Sequence, residues 1–177
     1  DRSKGSECTK ALCGPILIAT TAVMLLIWSW GKWPDVLVDF GRELYVPWRI
    51  TEGDVLYRDI AYFNGPLSAY FNALCFSLFG VGLRTLVFSN LIILGLLAAM
   101  LYRLFVDVAD KFAATVALLT FFVAFAFAHY SPFASNYVCP YSHELVHGLV
   151  TAVGSIFCLR GYLRDGRCRW LAGSGLL

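Results

Sequence analysis

Residues 86–106, LVFSNLIILGLLAAMLYRLFV, decide how the chain is read, because a single charge, Arg103, interrupts them and only near the end. Crossing a hydrocarbon core of about 30 Å takes roughly 20 apolar helical residues, so this run predicts a membrane-spanning helix. Three further runs join it. Residues 11–31 hold Pro15 but no charge and lead into a cluster of tryptophans, Trp28, Trp30 and Trp33. Residues 112–128 are uncharged, and residues 141–159 keep their charge and imidazoles near the beginning. The whole chain is 59% hydrophobic with a mean hydropathy of +0.68, against the roughly 45–50% apolar usage of soluble domains. The expected fold is therefore an all-α polytopic transmembrane bundle of about four spans, with residues 1–177 forming one membrane domain.

The first run exceeds the apolar core of a secretory signal and no small-x-small cleavage pattern follows it, so it is read as a retained span. The six cysteines, Cys8, Cys13, Cys75, Cys139, Cys158 and Cys168, form neither a CxxC pair nor a zinc-ligand spacing. A net charge of +2 offers no electrostatic footprint for nucleic acid. The placement of the charges says more. Arg2, Lys4, Lys10, Arg103, Lys111, Arg160, Arg164, Arg167 and Arg169 all fall in segments that four spans place on one side, and basic residues near span ends favour the cytoplasm. Both termini are expected to be cytoplasmic.

The opposite side receives the loop of residues 32–85, with six acids (Asp35, Asp39, Glu43, Glu52, Asp54 and Asp59), and the shorter segment 129–140. Ordered loops of this length usually carry function. Within the first, Val36, Phe40, Leu44 and Trp48 recur at near-helical spacing while Asp35, Asp39 and Glu43 form an i, i+4 acidic line, which predicts an interfacial helix over residues 35–50. Pro66, preceded by an Asn64-Gly65 turn, predicts the start of a second amphipathic helix over residues 66–81.

A carboxylate held just outside the membrane by such a helix is suited to general-base work once desolvation tunes it. Arg42, Arg49 and Arg58 supply guanidinium forks that match phosphate oxygens. The simpler alternative is a set of solvated ion pairs and an interfacial aromatic belt. Further along, His143-Glu144-Leu145-Val146-His147 is a literal HExxH, which on a helix sets two imidazoles on one face beside a glutamate able to polarise a metal-bound water. A membrane-embedded zinc protease is thus a competing reading. Zinc needs a third protein ligand, and the only other histidine is His129. Helix capping by Ser142 and a favourable acid in the first turn are the structural alternatives for this stretch.

The first loop resembles that of the C-type membrane glycosyltransferases, in particular bacterial relatives of the protein mannosyltransferases and of the lipid A aminoarabinose transferase. The matching features are an acid opening a juxtamembrane helix (Asp39), a Gly-Asp pair about fifteen residues on (Gly53-Asp54), and a Pro-Leu-x-x-Tyr stretch (Pro66 to Tyr70) running to Leu78-Phe79-Gly80. The likeness extends over about residues 15–160 and is specific only in the loop.

It implies an inverting transfer of a sugar from a polyprenyl-phosphate donor to an extracytoplasmic acceptor, in a bacterial inner membrane. By that resemblance Asp39 is the catalytic carboxylate, Arg42, Asn64 and Tyr70 are donor or acceptor contacts, and Glu144 with Tyr141 is the contribution of the second loop. No cofactor and no protein-held metal are implied, a divalent ion at the donor stays open, and the partners are membrane lipids, the lipid-linked sugar and the acceptor. Two departures leave the acceptor unassigned: Phe40 stands where the mannosyltransferases carry a second acid, and Asn64-Gly65 where the aminoarabinose branch has a lysine. Enzymes of this kind are longer, and residues 170–177 look like the start of another apolar run, so the chain is expected to be the N-terminal portion of one, or a non-catalytic membrane piece.

Overall fold

The computed structural model describes residues 2–32, 40–128 and 136–176, with the side chains of 2–12 excepted. The described residues are helical, in the order α1 (Arg2–Ser29), α2 (Gly41–Thr51), α3 (Pro66–Phe79), α4 (Leu83–Val108), α5 (Lys111–Phe121), a π-helical turn (Phe122–Ala126), α6 (His143–Asp165) and α7 (Cys168–Leu176). Two of them, α4 and α6, are long and apolar enough to cross a membrane, with mean hydropathies of 2.2 and 1.3 over their best windows. Only 17% of each window is buried inside the fold, the opposite of a soluble core helix. The other two expected spans correspond to shorter apolar stretches, Cys13–Ser29 and Lys111–Ala126.

The ends of the elements follow local chemistry. Asp110 caps α5, its Oδ1 accepting from the Ala113 N–H at 2.8 Å. Pro66 opens α3 where no backbone donor is needed. Gly166, at φ +64, closes α6 in the left-handed conformation that glycine adopts without steric cost. Ser142 holds the N-cap position of α6 but makes no side-chain cap. Its hydroxyl donates to Glu144 Oε2 at 2.5 Å instead, which corrects the capping role expected for it.

Contacts between helices fix their directions. Asn90 of α4 meets His143 of α6, and Asp107 of α4 meets Arg160 of α6, so α4 and α6 run side by side in the same sense. Trp30, just beyond α1, packs on Phe88 near the start of α4. Gly14 of α1 lies against Thr115 of α5, close enough that a Cβ would stand 2.5 Å from the threonine hydroxyl. The core joins Leu86, Val87, Leu94, Leu118, Phe122, Phe127 and Val138, with Ile18, Ala22 and Leu25 of α1 packed onto it. Hence α1 and α5 point one way and α4 and α6 the other. Residues 40–82 and 136–142 gather at one end, and the α6–α7 corner lies at the other.

At the close of α5 the helix widens. The Phe127 N–H reaches back five residues to the Phe122 carbonyl at 3.1 Å, and the Ala126 carbonyl instead accepts from the Tyr137 N–H at 2.9 Å. Asn136 then takes the Val138 and Cys139 N–H groups on its Oδ1 at 3.1 and 2.6 Å, so the segment leading to α6 is built from buried polar bonds.

Candidate functional site

The end that collects residues 40–82 and 136–142 holds the buried polar side chains Glu43, Ser68, Asn72, Asn90, Asn136, His143 and His147. Helix α2 presents Arg42 and Glu43 there. Its acidic residue is 4% exposed, so Glu43 does not belong to a solvated acidic face as its spacing suggested. Phe40, 1% exposed, sets its ring edge on His143 at 5.9 Å between centroids. That apolar seat draws the first turn of α2 inward and carries Glu43 with it.

Glu43 is bonded by the Arg42 guanidinium, with Nη2 at 2.9 Å from Oε1, and its second oxygen lies 3.9 Å from His143 Nδ1. Burial pushes the Glu43 carboxyl up to about 6, the nearby Glu144 charge adding to the effect while Arg42 opposes it. A carboxyl with that value exchanges protons near neutrality, as general acid–base work requires. The Arg42 guanidinium also lies over the Phe63 ring at 5.1 Å.

The segment between α2 and α3 supplies the next layer. Tyr57 adopts φ +68, uncommon for a residue with a side chain, and its backbone N–H bonds the Ile60 carbonyl while its hydroxyl bonds that of Asn64. This tight path delivers Tyr62 and Asn64 to the start of α6. Both donate to Glu144 Oε1: the Tyr62 hydroxyl, and the Asn64 amide at 2.9 Å. With Ser142 on the other oxygen, the Glu144 carboxylate collects three donors from two parts of the chain. Burial and the Glu144 charge raise the Tyr62 phenol well above its usual range, so it remains a donor.

Deeper in, the two imidazoles of the HExxH face inward, 5.9 Å apart between centroids. His143 sits between two amides, Nδ1 at 2.7 Å from Asn72 and Nε2 at 3.3 Å from Asn90. His147 Nδ1 pairs with the Ser68 hydroxyl at 2.8 Å, and Phe71 closes edge-on over its ring at 5.1 Å. Glu144 points away from both rings into the Tyr62–Asn64–Ser142 cluster. No three His, Cys, Asp or Glu side chains among the described residues are grouped to hold a metal ion. The imidazoles therefore tie α6 to α3 and α4 through Asn72, Ser68 and Asn90.

Of the site residues expected from sequence, Arg42, Asn64 and Glu144 are brought together. Tyr70 and Tyr141 stand at the surface, 47% and 54% exposed. Asp39, like Asp35 and His129, lies outside the described residues. Arg49 and Arg58 are engaged by Asp54 and Asp59, each pair at 2.7 Å, as solvated pairs would be. Sequence reasoning missed Glu43 as a site group, and also Tyr62, Ser68, Asn72 and Asn90. Polar side chains inside otherwise apolar helices were the available signal for Asn72 and Asn90. Beside the cluster opens a cavity of about 440 Å³ walled in part by Arg42, Tyr45, Asp59 and Ile60, where one guanidinium face meets an aromatic and an acid. Such a wall can hold an anionic oxygen and an adjacent hydroxyl-rich group. Neither protein-family models, nor curated proteins, nor solved structures gave a match to this chain.

Proposed function

We propose that the chain is the N-terminal part of a C-type, polyprenyl-phosphate-dependent glycosyltransferase. It is multi-pass in a bacterial inner membrane, with both termini cytoplasmic, and it moves a sugar to an extracytoplasmic acceptor. The observation that carries this reading is the joining of two outer segments far apart in sequence, Tyr62 and Asn64 meeting Glu144 beside the Arg42–Glu43 pair. A site for a lipid-linked sugar phosphate needs a cation for the phosphate and carboxylates for the acceptor's proton, at the level where a span meets water. The alternation of α1, α4, α5 and α6 supports the same topology, because it sends the basic segments to the end opposite the cluster.

In this reading Asp39 is the base toward the acceptor hydroxyl or amine, Arg42 faces the donor phosphate, and Asn64 and Glu144 orient the bound groups. The test uses the complete enzyme in membranes with a radiolabelled polyprenyl-phosphate sugar. Asp39→Asn keeps the shape and removes the base, so transfer falls by roughly 10²–10⁴-fold, while Asp35→Asn retains it. Retained transfer in both variants overturns the assignment of this loop, and loss only in Asp35→Asn shifts the register by one helical turn.

A further inference from the structure

We propose that the end of the bundle remote from the polar cluster carries a binding site for the phosphodiester headgroup of an anionic phospholipid. A cavity of about 270 Å³ opens where α4, α6 and α7 meet, and its wall includes Arg103 of α4, Arg160 and Arg164 of α6, and Trp170 of α7. Three arginines face two aspartates there, Asp107 and Asp165, which leaves positive charge in excess. One arginine is already satisfied, since Arg160 pairs with Asp107 at 2.5 Å. Arg103 and Arg164 have no carboxylate within ion-pair distance among the described residues. Two free guanidinium forks on neighbouring helices match the oxygens of a phosphodiester.

Trp170 is fixed in place for such a role. Its ring covers Gly161 so closely that a Cβ there would stand 2.7 Å from the indole, and it meets Phe157 edge-on at 6.4 Å. The ring thus forms a fixed aromatic side to the cavity beside the arginines. The site also stands at the right depth for a lipid. It is formed by the last turns of the two helices long and apolar enough to cross a membrane, where headgroups, tryptophans and basic side chains meet. The inference stands whether or not the chain transfers sugar.

The full chain in detergent is titrated with phosphatidylglycerol, phosphatidylethanolamine and inorganic phosphate, and bound species are counted by native mass spectrometry. The expected result is preferential retention of phosphatidylglycerol, weakened roughly tenfold or more in the Arg103→Gln/Arg164→Gln double variant. Asp165→Asn removes an opposing charge and should tighten binding, a change of opposite sign that loss of fold cannot produce. Equal retention of the two lipids, or unchanged phosphatidylglycerol binding in the double variant, overturns the site. Inorganic phosphate binding as tightly as the lipid would make it a site for a soluble anion, and the lipid assignment falls.

Discussion

The stretch from residue 40 to residue 65 contains two arginines each followed directly by its own carboxylate, and the two pairs behave in opposite ways. Arg42–Glu43, at 2.9 Å, leaves its side chains 25% and 4% exposed, whereas Arg58–Asp59, at 2.7 Å, leaves them 71% and 35% exposed. The Arg58 guanidinium and the Val55 N–H hold Asp59 down to about 2. Burial lifts Glu43 to about 6 in spite of an equally close arginine. An adjacent guanidinium thus does not by itself fix the charge state of a carboxylate. Enclosure decides, since Glu43 is almost shut off from solvent and Asp59 is not.

The largest effect that sharpens this contrast is expected from removing the partner. Arg42→Ala leaves Glu43 buried with only the His143 backbone N–H to support its charge, a loss on the order of 3 kcal/mol at pH 8, read as a shift in denaturant midpoint in detergent. Arg58→Ala should leave the midpoint where it was. Equal shifts in the two variants would break the contrast. At pH 5 the Arg42→Ala loss should shrink, because the neutral acid tolerates burial.

Next in size is the pH dependence of stability. Glu43 binds its proton more tightly in the folded protein, at about 6 against a reference of 4.5. Its contribution is therefore fullest below the reference value and is lost as pH rises through about 6, a fall on the order of 2 kcal/mol. The difference in unfolding midpoint between the unaltered chain and Glu43→Gln, followed from pH 4 to 7, should show this decline. Asp59 carries the opposite sign: its contribution is present above its reference value of 3.8 and is lost only as pH falls toward about 2, so Asp59→Asn leaves the pH 4.5–6 slope intact. A Glu43→Gln difference that stays constant from pH 4 to 7 would remove Glu43 as the source of the decline.

The smallest effect concerns the second carboxylate. Tyr62→Phe removes one of three donors to Glu144, and because Asn64 and Ser142 remain the expected loss is on the order of 1.5 kcal/mol. Thermal unfolding in detergent measures it. A loss as large as that of Arg42→Ala would mean that Glu144, not Glu43, is the more weakly compensated charge.

Much of the helical framework was legible because apolar run length is a local property. The run at residues 86–106 lies inside α4, and the second helix of the first loop, expected to start at Pro66, does start there. The inward pairing of His143 with His147 was also legible, since four residues make about one helical turn. The direction of Glu144 was not, because it is set by Tyr62 and Asn64 some eighty positions earlier. Glu43 misled for a related reason. Its spacing from Asp35 and Asp39 describes a helix face but says nothing about which neighbour covers that face, and Phe40 reverses the expectation. Asn72 and Asn90 acquire meaning only when His143 comes between them.

The wide turn at Phe122–Ala126 has a consequence for length changes in the chain. Such a turn holds one residue more than an α-helical path between the same neighbours. Deleting a single residue there can restore regular winding, whereas deleting one from within α4 would rotate everything downstream by about 100°. The Ala126 carbonyl, turned with that winding, would no longer face the Tyr137 N–H, and the strap that leads into His143 would lose its mooring. A one-residue deletion at this point should thus spare the helix while uncoupling residues 136–142 from it.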